Sequence, residues 1–275
     1  RFIYGIIFVI SNASMKQINK FYLASFLKNQ TYFVPILIIF FQNLGLDFAQ
    51  IFWVLTAGSL FSFLLEIPTG VFADLYGKRK SILISKFVIF LSFLAFGFSD
   101  SFLTLLLANL IYELGKSFRS GTETAYVFDY LASQKNAPSY TKVKSHQKFY
   151  ARLSESLATA IGGYLAVKFG FNFVFFLAAI PALLNALQTI TWVKIKEHDG
   201  ETGQKVTRAF LREAFTSLKK KPSLLRIMVN VLLYSSVFVA LGTFVQPYMT
   251  EAGLPLAYFG FVYSGFLLIV AFLTR

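Results

Sequence analysis

Long apolar segments separated by shorter polar stretches run through most of the sequence. A helix needs about 20 mostly apolar residues to cross the hydrocarbon core of a bilayer. Eight segments are about that long and predict membrane-spanning helices, which we number 1 to 8 in chain order: residues 21–41, 51–71, 81–98, 102–130, 149–167, 173–193, 224–248 and 256–273. The pattern therefore predicts an all-α integral membrane protein.

The composition agrees with a location in the membrane. Of the 275 residues, 56% are hydrophobic and 14% are charged, whereas about a quarter of the residues in soluble domains are charged. The net charge of +13 would suit a nucleic-acid partner, but the basic residues lie in alternate connections between the apolar segments. Membrane topology and anionic lipid headgroups account for this charge, so we expect a lipid bilayer and no nucleic acid as partner. With no cysteine and two histidines, the sequence predicts no metal site, and no pattern indicates a cofactor.

The basic residues also predict the orientation of the chain. They precede segment 1, follow segments 2 and 4, and crowd the stretch after segment 6, whereas the alternate connections contain only Lys168. Cytoplasmic loops carry an excess of lysine and arginine. We therefore expect a multi-pass protein of the cell membrane, plasma or inner, with a cytoplasmic N-terminus.

The long hydrophilic stretch at residues 194–222 divides the predicted helices into two groups. We interpret residues 16–193 as a six-helix bundle, residues 194–222 as a cytoplasmic linker, and residues 223–275 as the first two helices of a second, incomplete bundle. Apolar residues recur at helical spacing in the linker, which predicts an amphipathic helix at the membrane surface or, alternatively, a partner-binding helix. We interpret residues 1–15, whose apolar run is too short to span a bilayer, as an upstream or non-native segment, with a signal peptide as the alternative.

A motif of glycine, aspartate and basic residues lies between segments 2 and 3. Two glycines suit a tight turn, the aspartate suits a helix cap or an ion pair, and the basic residues suit the cytoplasmic side. The motif consists of Gly70, Asp74, Gly77, Lys78, Arg79 and Lys80. An ordinary basic hairpin is the alternative interpretation, but the full spacing favours a specific motif.

This motif resembles the loop between helices 2 and 3 of the major facilitator superfamily, and the chain is identified as a member of the prokaryotic permease type. The resemblance implies transport by alternating access, a conformational-switch role for the loop, and a central cavity lined by segments 1 and 4. Residues 119–125 with Asp129 are also similar to helix 4 of a permease subset. Ile111 stands where the commoner signature has an arginine, so the resemblance assigns no proton-relay role to Arg119.

A short internal repeat supports a second bundle. Residues 45–50 before segment 2 are similar to residues 253–258 before segment 8, at an offset of 208 residues. Two six-helix bundles that follow one another along the chain would produce such a repeat. The offset places a second glycine and aspartate loop just beyond Arg275, so we expect the chain to be truncated after about helix 8.

Several charged and polar residues fall inside the predicted spanning segments. A charge there costs at least about 2.5 to 3.5 kcal/mol and requires a partner or an aqueous cavity. The candidates for lining a cavity, binding substrate or coupling protons are Lys28, Asn29, Glu66, Glu113, Lys116, Arg119 and Glu123.

The spacing of these residues predicts specific pairs. Lys28 and Glu66 each lie about 12 Å from the cytoplasmic side, so we expect them to pair, either as a structural ion pair or as part of a substrate site. Glu113 and Lys116 are spaced to pair along one helix. The i, i+4 spacing of Arg119 and Glu123 predicts a second pair of this kind.

We predict a non-enzymatic transporter that moves a small solute, as a secondary active permease or efflux pump with protons as the coupling ion. Glu66 and Glu113 are the candidate proton carriers, because a buried acid can bind and release a proton within a transport cycle. The many aromatic residues favour export of an amphipathic solute over import. Two other classes stay open: a membrane-embedded enzyme acting on lipid-linked substrates, and a non-transporting scaffold or sensor.

Overall fold

The computed structural model describes residues 16–195 and 222–273, which form helices and turns and contain no strands. The predicted all-α architecture is therefore confirmed. Within these ranges we number ten α-helices: α1 Gln17–Lys28, α2 Leu37–Asn43, α3 Phe48–Tyr76, α4 Lys78–Gly97, α5 Phe102–Arg119, α6 Thr122–Ser133, α7 Tyr140–Phe169, α8 Phe171–Ile190, α9 Pro222–Glu251 and α10 Phe259–Leu273. The interpretations of residues 1–15 and of an amphipathic linker helix fall outside the described residues.

Four of the described helices are long and apolar enough to cross a membrane: α3, α4, α8 and the part of α9 from Val229 to Glu251. Two further apolar stretches, Val34–Asn43 and Leu256–Ile269, are shorter. Helices α5 and α7 are long enough to span, but they carry more charged residues. These two helices fall outside the stricter criterion of length and apolar composition because they carry the charged groups described below.

Two of the predicted spanning segments are each split into two helices. Segment 4 divides into α5 and α6 at Gly121, whose φ of 69° is left-handed and interrupts the helix. Segment 1 divides into α1 and α2, with a 3-10 turn at Val34–Ile36 that contains Pro35. Proline lacks a backbone N–H and restricts the residue before it, so a continuous helix is disfavoured there.

A side chain from α9 forms hydrogen bonds across the break in segment 1. The Oε1 of Gln246 accepts a hydrogen bond from the backbone N–H of Ile38 at 2.8 Å, and its Nε2 donates to the carbonyl oxygen of Val34 at 2.8 Å. These are the two groups that an unbroken helix would join directly. Gln246 is buried, so it ties α9 to the middle of segment 1.

Two apolar clusters pack the bundle, one near each end of the helices. The ring cluster joins α2, α4 and α8 through stacked and tilted aromatic pairs, and its main rings are Phe33, Phe40, Phe93, Phe96 and Phe175. The second cluster surrounds Phe21, which meets Tyr126 and Trp192 edge-on at centroid distances of 6.0 and 5.0 Å. Charged and amide side chains form a polar layer between the clusters.

Close contacts of α7 with its neighbours depend on glycine. A Cβ atom at Gly162 would lie 1.9 Å from the carbonyl oxygen of Tyr32, and one at Gly163 would lie 2.4 Å from the carbonyl oxygen of Leu256. Small residues allow membrane helices to approach this closely. The pair of glycines therefore fixes α7 against both the break in segment 1 and the start of α10.

The internal repeat has a counterpart in backbone structure. Gly45 and Gly253 both adopt positive φ angles, 82° and 77°. In each corner the glycine N–H donates a hydrogen bond to the carbonyl oxygen three residues earlier. The N–H of the following leucine donates to the carbonyl oxygen five residues earlier, which is that of Phe41 in one corner and of Met249 in the other. The two corners thus end their helices with the same hydrogen-bond pattern.

The motif between segments 2 and 3 is a one-residue corner rather than an open loop. Helix α3 continues to Tyr76 and α4 begins at Lys78, so only Gly77 turns the chain, with a φ of 99°. Gly70 lies inside α3 and makes no turn, contrary to the expectation that both glycines do so. Asp74 is exposed near the end of α3 and does not act as its cap.

Candidate functional site

A carboxylate shared by two lysines forms the centre of the polar layer. Glu123, at the start of α6, accepts a hydrogen bond from Lys28 of α1 at 2.8 Å and lies 4.0 Å from the Nζ of Lys86 of α4. The Glu123 side chain is 13% exposed and that of Lys86 is 2% exposed. The three charges therefore link α1, α4 and α6 in a buried place where unpaired charges would be costly.

Lys86 has two further contacts, both with the α8 side of the bundle. Its Nζ donates to the Oγ1 of Thr189 at 2.8 Å and lies 4.2 Å from the centre of the Trp192 ring. A hydroxyl and an aromatic face both stabilise a desolvated ammonium group. Lys86 is not among the site residues predicted from the sequence, although a lone lysine in apolar segment 3 carries the same cost in the membrane as Lys28.

The predicted pair between Lys28 and Glu66 is wrong. Lys28 contacts Glu123 instead, and Glu66 accepts a hydrogen bond from the hydroxyl of Ser120 at 2.9 Å. The sequence places Lys28 and Glu66 at equal depth in the membrane, but it does not give the rotation of each helix. In the structure the two side chains point toward different neighbours.

The pair predicted between Arg119 and Glu123 does not form among the described residues, because the helix is interrupted at Gly121. Arg119 instead lines a void of about 20 Å³ beside Lys28 and Lys86. It therefore adds positive charge near the polar layer without a direct ion pair to Glu123.

The predicted pair between Glu113 and Lys116 is present, with 2.7 Å between Oε1 and Nζ. Together with Glu66 it lines a groove of about 270 Å³ between α3 and α5, which we call the carboxylate groove. Glu113 is 8% exposed. The groove is completed by hydroxyl groups, including those of Ser62 and Ser117, 3.2 Å apart.

A larger cavity of about 370 Å³ lies between α1, α6 and α7, and we call it the basic cavity. Asn29, at the end of α1, lines it and donates to the carbonyl oxygen of Ser25. The charged residues that line it are Lys28, Glu123, Lys144, Lys148, Arg152 and Glu155. Lys144 falls in the predicted connection between segments 4 and 5, but in the structure it lies in the first turns of α7.

One end of the bundle gathers the glycine and aspartate motif, and we call it the basic end. Lys78 pairs with Asp129 near the end of α6, and the guanidinium of Arg79 donates to the carbonyl oxygen of Ile190 at the end of α8. Lys20 of α1 donates to the carbonyl oxygen of Thr191 at 3.0 Å. Cations are stabilised at the carbonyl end of a helix, so these contacts fasten α1 and α4 to the end of α8. Lys80 is exposed and takes no part in them.

These features define a class of protein: a multi-pass α-helical membrane protein with charged residues and a polar cavity inside its helical bundle. Comparison with known families goes further. The model of the Major Facilitator Superfamily matches residues 21–275, so the chain belongs to that family.

Two relatives and two solved structures illustrate the similarity. The chain is 24% identical over 245 residues to the uncharacterised MFS-type transporter YxaM of Bacillus subtilis, covering 84% of this chain and 58% of the relative. It is 22% identical over 221 residues to an uncharacterised MFS-type transporter of Methanocaldococcus jannaschii, covering 79% of this chain and 56% of the relative. The chain thus spans little more than half the length of either relative.

The fold is similar to a bacterial homologue of the human lysosomal transporter Spinster, solved in an inward-facing and unoccupied conformation. The TM-score is 0.70 at 18% identity, covering 93% of this chain and 59% of that one. A peptide transporter of the POT family in complex with sulfate gives a TM-score of 0.55 at 17% identity, covering 82% of this chain and 49% of that one. At these identities the structural likeness concerns the fold.

Proposed function

We propose that this chain is part of a secondary active transporter that moves a small solute by alternating access through the basic cavity. The observation that carries the proposal is the position of the cavity relative to the Gln246 contact. The cavity is lined by the first turns of α7, beside the basic end, whereas Gln246 joins segment 1 to α9 farther along the same segment. A polar cavity near one end with a closed contact beyond it is the arrangement that alternating access requires.

Distances along the helix support this order. Lys28 lies eleven residues after Gln17 at the basic end, or about 16 Å along a helix that rises about 1.5 Å per residue. Val34 and Ile38 lie farther from that end. A solute entering the cavity would therefore meet Lys28 and Glu123 before the closed contact at Gln246.

The corner at Gly77 supports a hinge role for the motif that contains it. Lys78 and Arg79 connect the corner to α6 and to the end of α8 through an ion pair and a carbonyl contact. These polar contacts can break and reform as helices tilt, more readily than packed apolar side chains. We place this end in the cytoplasm of a cell membrane, because it carries the basic connections.

We further propose that protons drive transport through the carboxylate groove. Glu113 is nearly buried and pairs with Lys116, and this ion pair requires the Glu113 carboxylate to be charged. Glu66 lies in the same groove. Exchange of a proton at either carboxylate would change the charge of the groove and thereby favour one helix arrangement over another.

The test uses the protein reconstituted in vesicles that contain a pH-sensitive dye. A mixture of polar metabolites is added outside, and uptake is followed by mass spectrometry together with the dye signal. We expect protein-dependent uptake of at least one solute, accompanied by proton movement. Glu113→Gln should abolish accumulation driven by a pH gradient while retaining exchange of labelled against unlabelled solute.

Asp100→Asn is the matched control, because Asp100 is exposed in the turn between α4 and α5, and it should leave both activities intact. Unchanged proton-driven accumulation in both Glu66→Gln and Glu113→Gln would remove the groove from the coupling mechanism. Chemical conversion of a lipid-linked substrate without flux would instead favour a membrane enzyme, and neither activity would favour a scaffold or sensor.

A further inference from the structure

We propose that the solute of the basic cavity is a small organic anion, bound through a carboxylate or phosphate group by lysines of α7. This inference names the substrate class of the site and rests on the transport function proposed above. It is carried by the charges of the cavity and by its size.

The cavity lining has more cations than carboxylates. Two ion pairs account for Lys28 with Glu123 at 2.8 Å and for Arg152 with Glu155 at 2.7 Å. Both carboxylates of the lining are then used. The two remaining cations of the lining have no carboxylate partner among the described residues, and they are Lys144 and Lys148.

The surroundings of the cavity add to this imbalance. Lys86 lies behind Glu123, 4.0 Å from its Oε1, so a single carboxylate faces two lysines. A cleft lined by one sign of charge and walled by low-dielectric material concentrates ions of the opposite sign. In this cavity that ion is an anion, because the lining carries a formal excess of two positive charges.

Lys144 is the lysine most affected by the cavity. It lies before the predicted spanning part of α7, and its Nζ is 3.4 Å from the Oγ1 of Thr124. Burial lowers the pKa of Lys144; the nearby Glu123 carboxylate raises it, and the Lys28 and Lys148 ammonium groups lower it. An anion bound beside Lys144 would stabilise the charged form of that lysine.

A buried amide lies beside Lys144 in the cavity wall. Gln147 is 6% exposed and lines the cavity one helical turn from Lys144, on the same helix. Its Nε2 lies 3.4 Å from the carbonyl oxygen of Phe21, whereas its Oε1 has no hydrogen-bond partner among the described residues. The Oε1 atom is itself enclosed by protein, so Gln147 packs the wall beside Lys144 and defines no contact for the solute. The volume of about 370 Å³ is within the roughly 300 to 1,000 Å³ of small-molecule sites.

The test compares solutes that differ in charge but little in shape. Purified protein in neutral detergent is titrated with lactate against lactamide, and with ribose 5-phosphate against ribose, and thermal stabilisation is measured. We expect at least one anion to stabilise the protein more than its neutral counterpart. In the double variant Lys144→Gln, Lys148→Gln, the apparent Kd for that anion should rise about tenfold or more, as expected for loss of charged hydrogen bonds.

Lys142→Gln is the matched control, because Lys142 is exposed on the same helix and does not line the cavity. Its apparent Kd should stay close to that of the unchanged protein. If the double variant does not fold, Lys148→Gln alone serves, since Lys148 is the more exposed of the two.

Three results would overturn the inference. The first is that each anion stabilises the protein no more than its neutral counterpart does. This outcome includes the case in which neither compound stabilises the protein. The second is an equal loss of affinity in Lys142→Gln, which would indicate a general surface-charge effect. The third is stabilisation by an anionic phospholipid, dependent on Lys144 and Lys148, without any effect of the soluble anions, which would identify a lipid headgroup site.

The binding and flux experiments distinguish a failure of the anion class from a failure of the proposed transport function. Anion binding without flux would keep the inference and remove the proposed transport function. Flux of neutral solutes as fast as their anionic counterparts would keep transport and remove the anion class.

Discussion

Removal of the Glu123 carboxylate tests whether the polar layer depends on one shared negative charge. In Glu123→Gln, Lys28 and Lys86 lose the carboxylate that lies 2.8 and 4.0 Å from them. Two unit charges 4 Å apart attract by about 4 kcal/mol at an effective dielectric constant of about 20. Breaking a buried ion pair and leaving one charge unpaired costs about 3 to 5 kcal/mol.

The cost should fall mainly on Lys86. Its side chain is 2% exposed, whereas that of Lys28 is 31% exposed and can be hydrated in the cavity. Thr189 and Trp192 still contact Lys86 and keep part of its stabilisation. We therefore expect Glu123→Gln to lower the free energy of unfolding by about 3 kcal/mol, at the lower end of the range for buried pairs.

A double-mutant cycle isolates this interaction. Lys86→Met removes the buried ammonium group, so the combination with Glu123→Gln should be more stable than Glu123→Gln alone, with a coupling of about 2 kcal/mol. Unfolding is measured in mixed micelles at increasing fractions of a denaturing detergent. Glu155→Gln is the control, because its partner Arg152 is 44% exposed, and it should cost less than about 1 kcal/mol.

Two results would refute this reasoning. One is a loss of stability in Glu123→Gln no larger than that in the Glu155→Gln control. The other is a double variant no more stable than Glu123→Gln, since Lys86 would then need no carboxylate.

Two further predictions concern packing and the closed contact. Gly260→Val should prevent recovery of monodisperse protein in size-exclusion chromatography, because a Cβ there would lie 2.1 Å from the carbonyl oxygen of Thr159. Gly265→Val is the control and should behave as the unchanged protein, because no atom lies within 4 Å of its Cβ. Equal yields of the two variants would contradict the close packing of α7 and α10. Gln246→Leu removes the hydrogen bonds that bridge the break in segment 1. In the cavity variant Ala151→Cys, this change should raise the rate of labelling by an impermeant maleimide added on the side opposite the basic end. An unchanged labelling rate would show that Gln246 does not close that side.

The sequence was sufficient for the helical class and for the family, because these depend on local patterns. Apolar length predicted the spanning segments, and the spacing of Gly70, Asp74 and Gly77 pointed to the family that the comparisons then showed. The i, i+3 pair of Glu113 and Lys116 was also predictable, because both residues lie on one unbroken helix.

Contacts between helices were less predictable, since they depend on how each helix is rotated and where it breaks. Glu66 was expected to face Lys28 but contacts Ser120. The break at Gly121 separated Arg119 from Glu123, and a single glycine does not by itself predict an interruption. Gln246 was missed for the same reason, because its partners are backbone atoms exposed by a break 208 residues away.

The most direct test of the account is the two-sided accessibility of the basic cavity. The chain has no cysteine, so Ala151→Cys, which replaces a small residue of the cavity wall, can be labelled with an impermeant maleimide in vesicles of known orientation. Lys142→Cys, exposed near the start of α7, is the control and should react only from the side of the basic end. The account predicts that Ala151→Cys reacts from both sides at different moments of the cycle. Reaction from the basic end alone, under every solute and pH gradient applied, would contradict alternating access through this cavity.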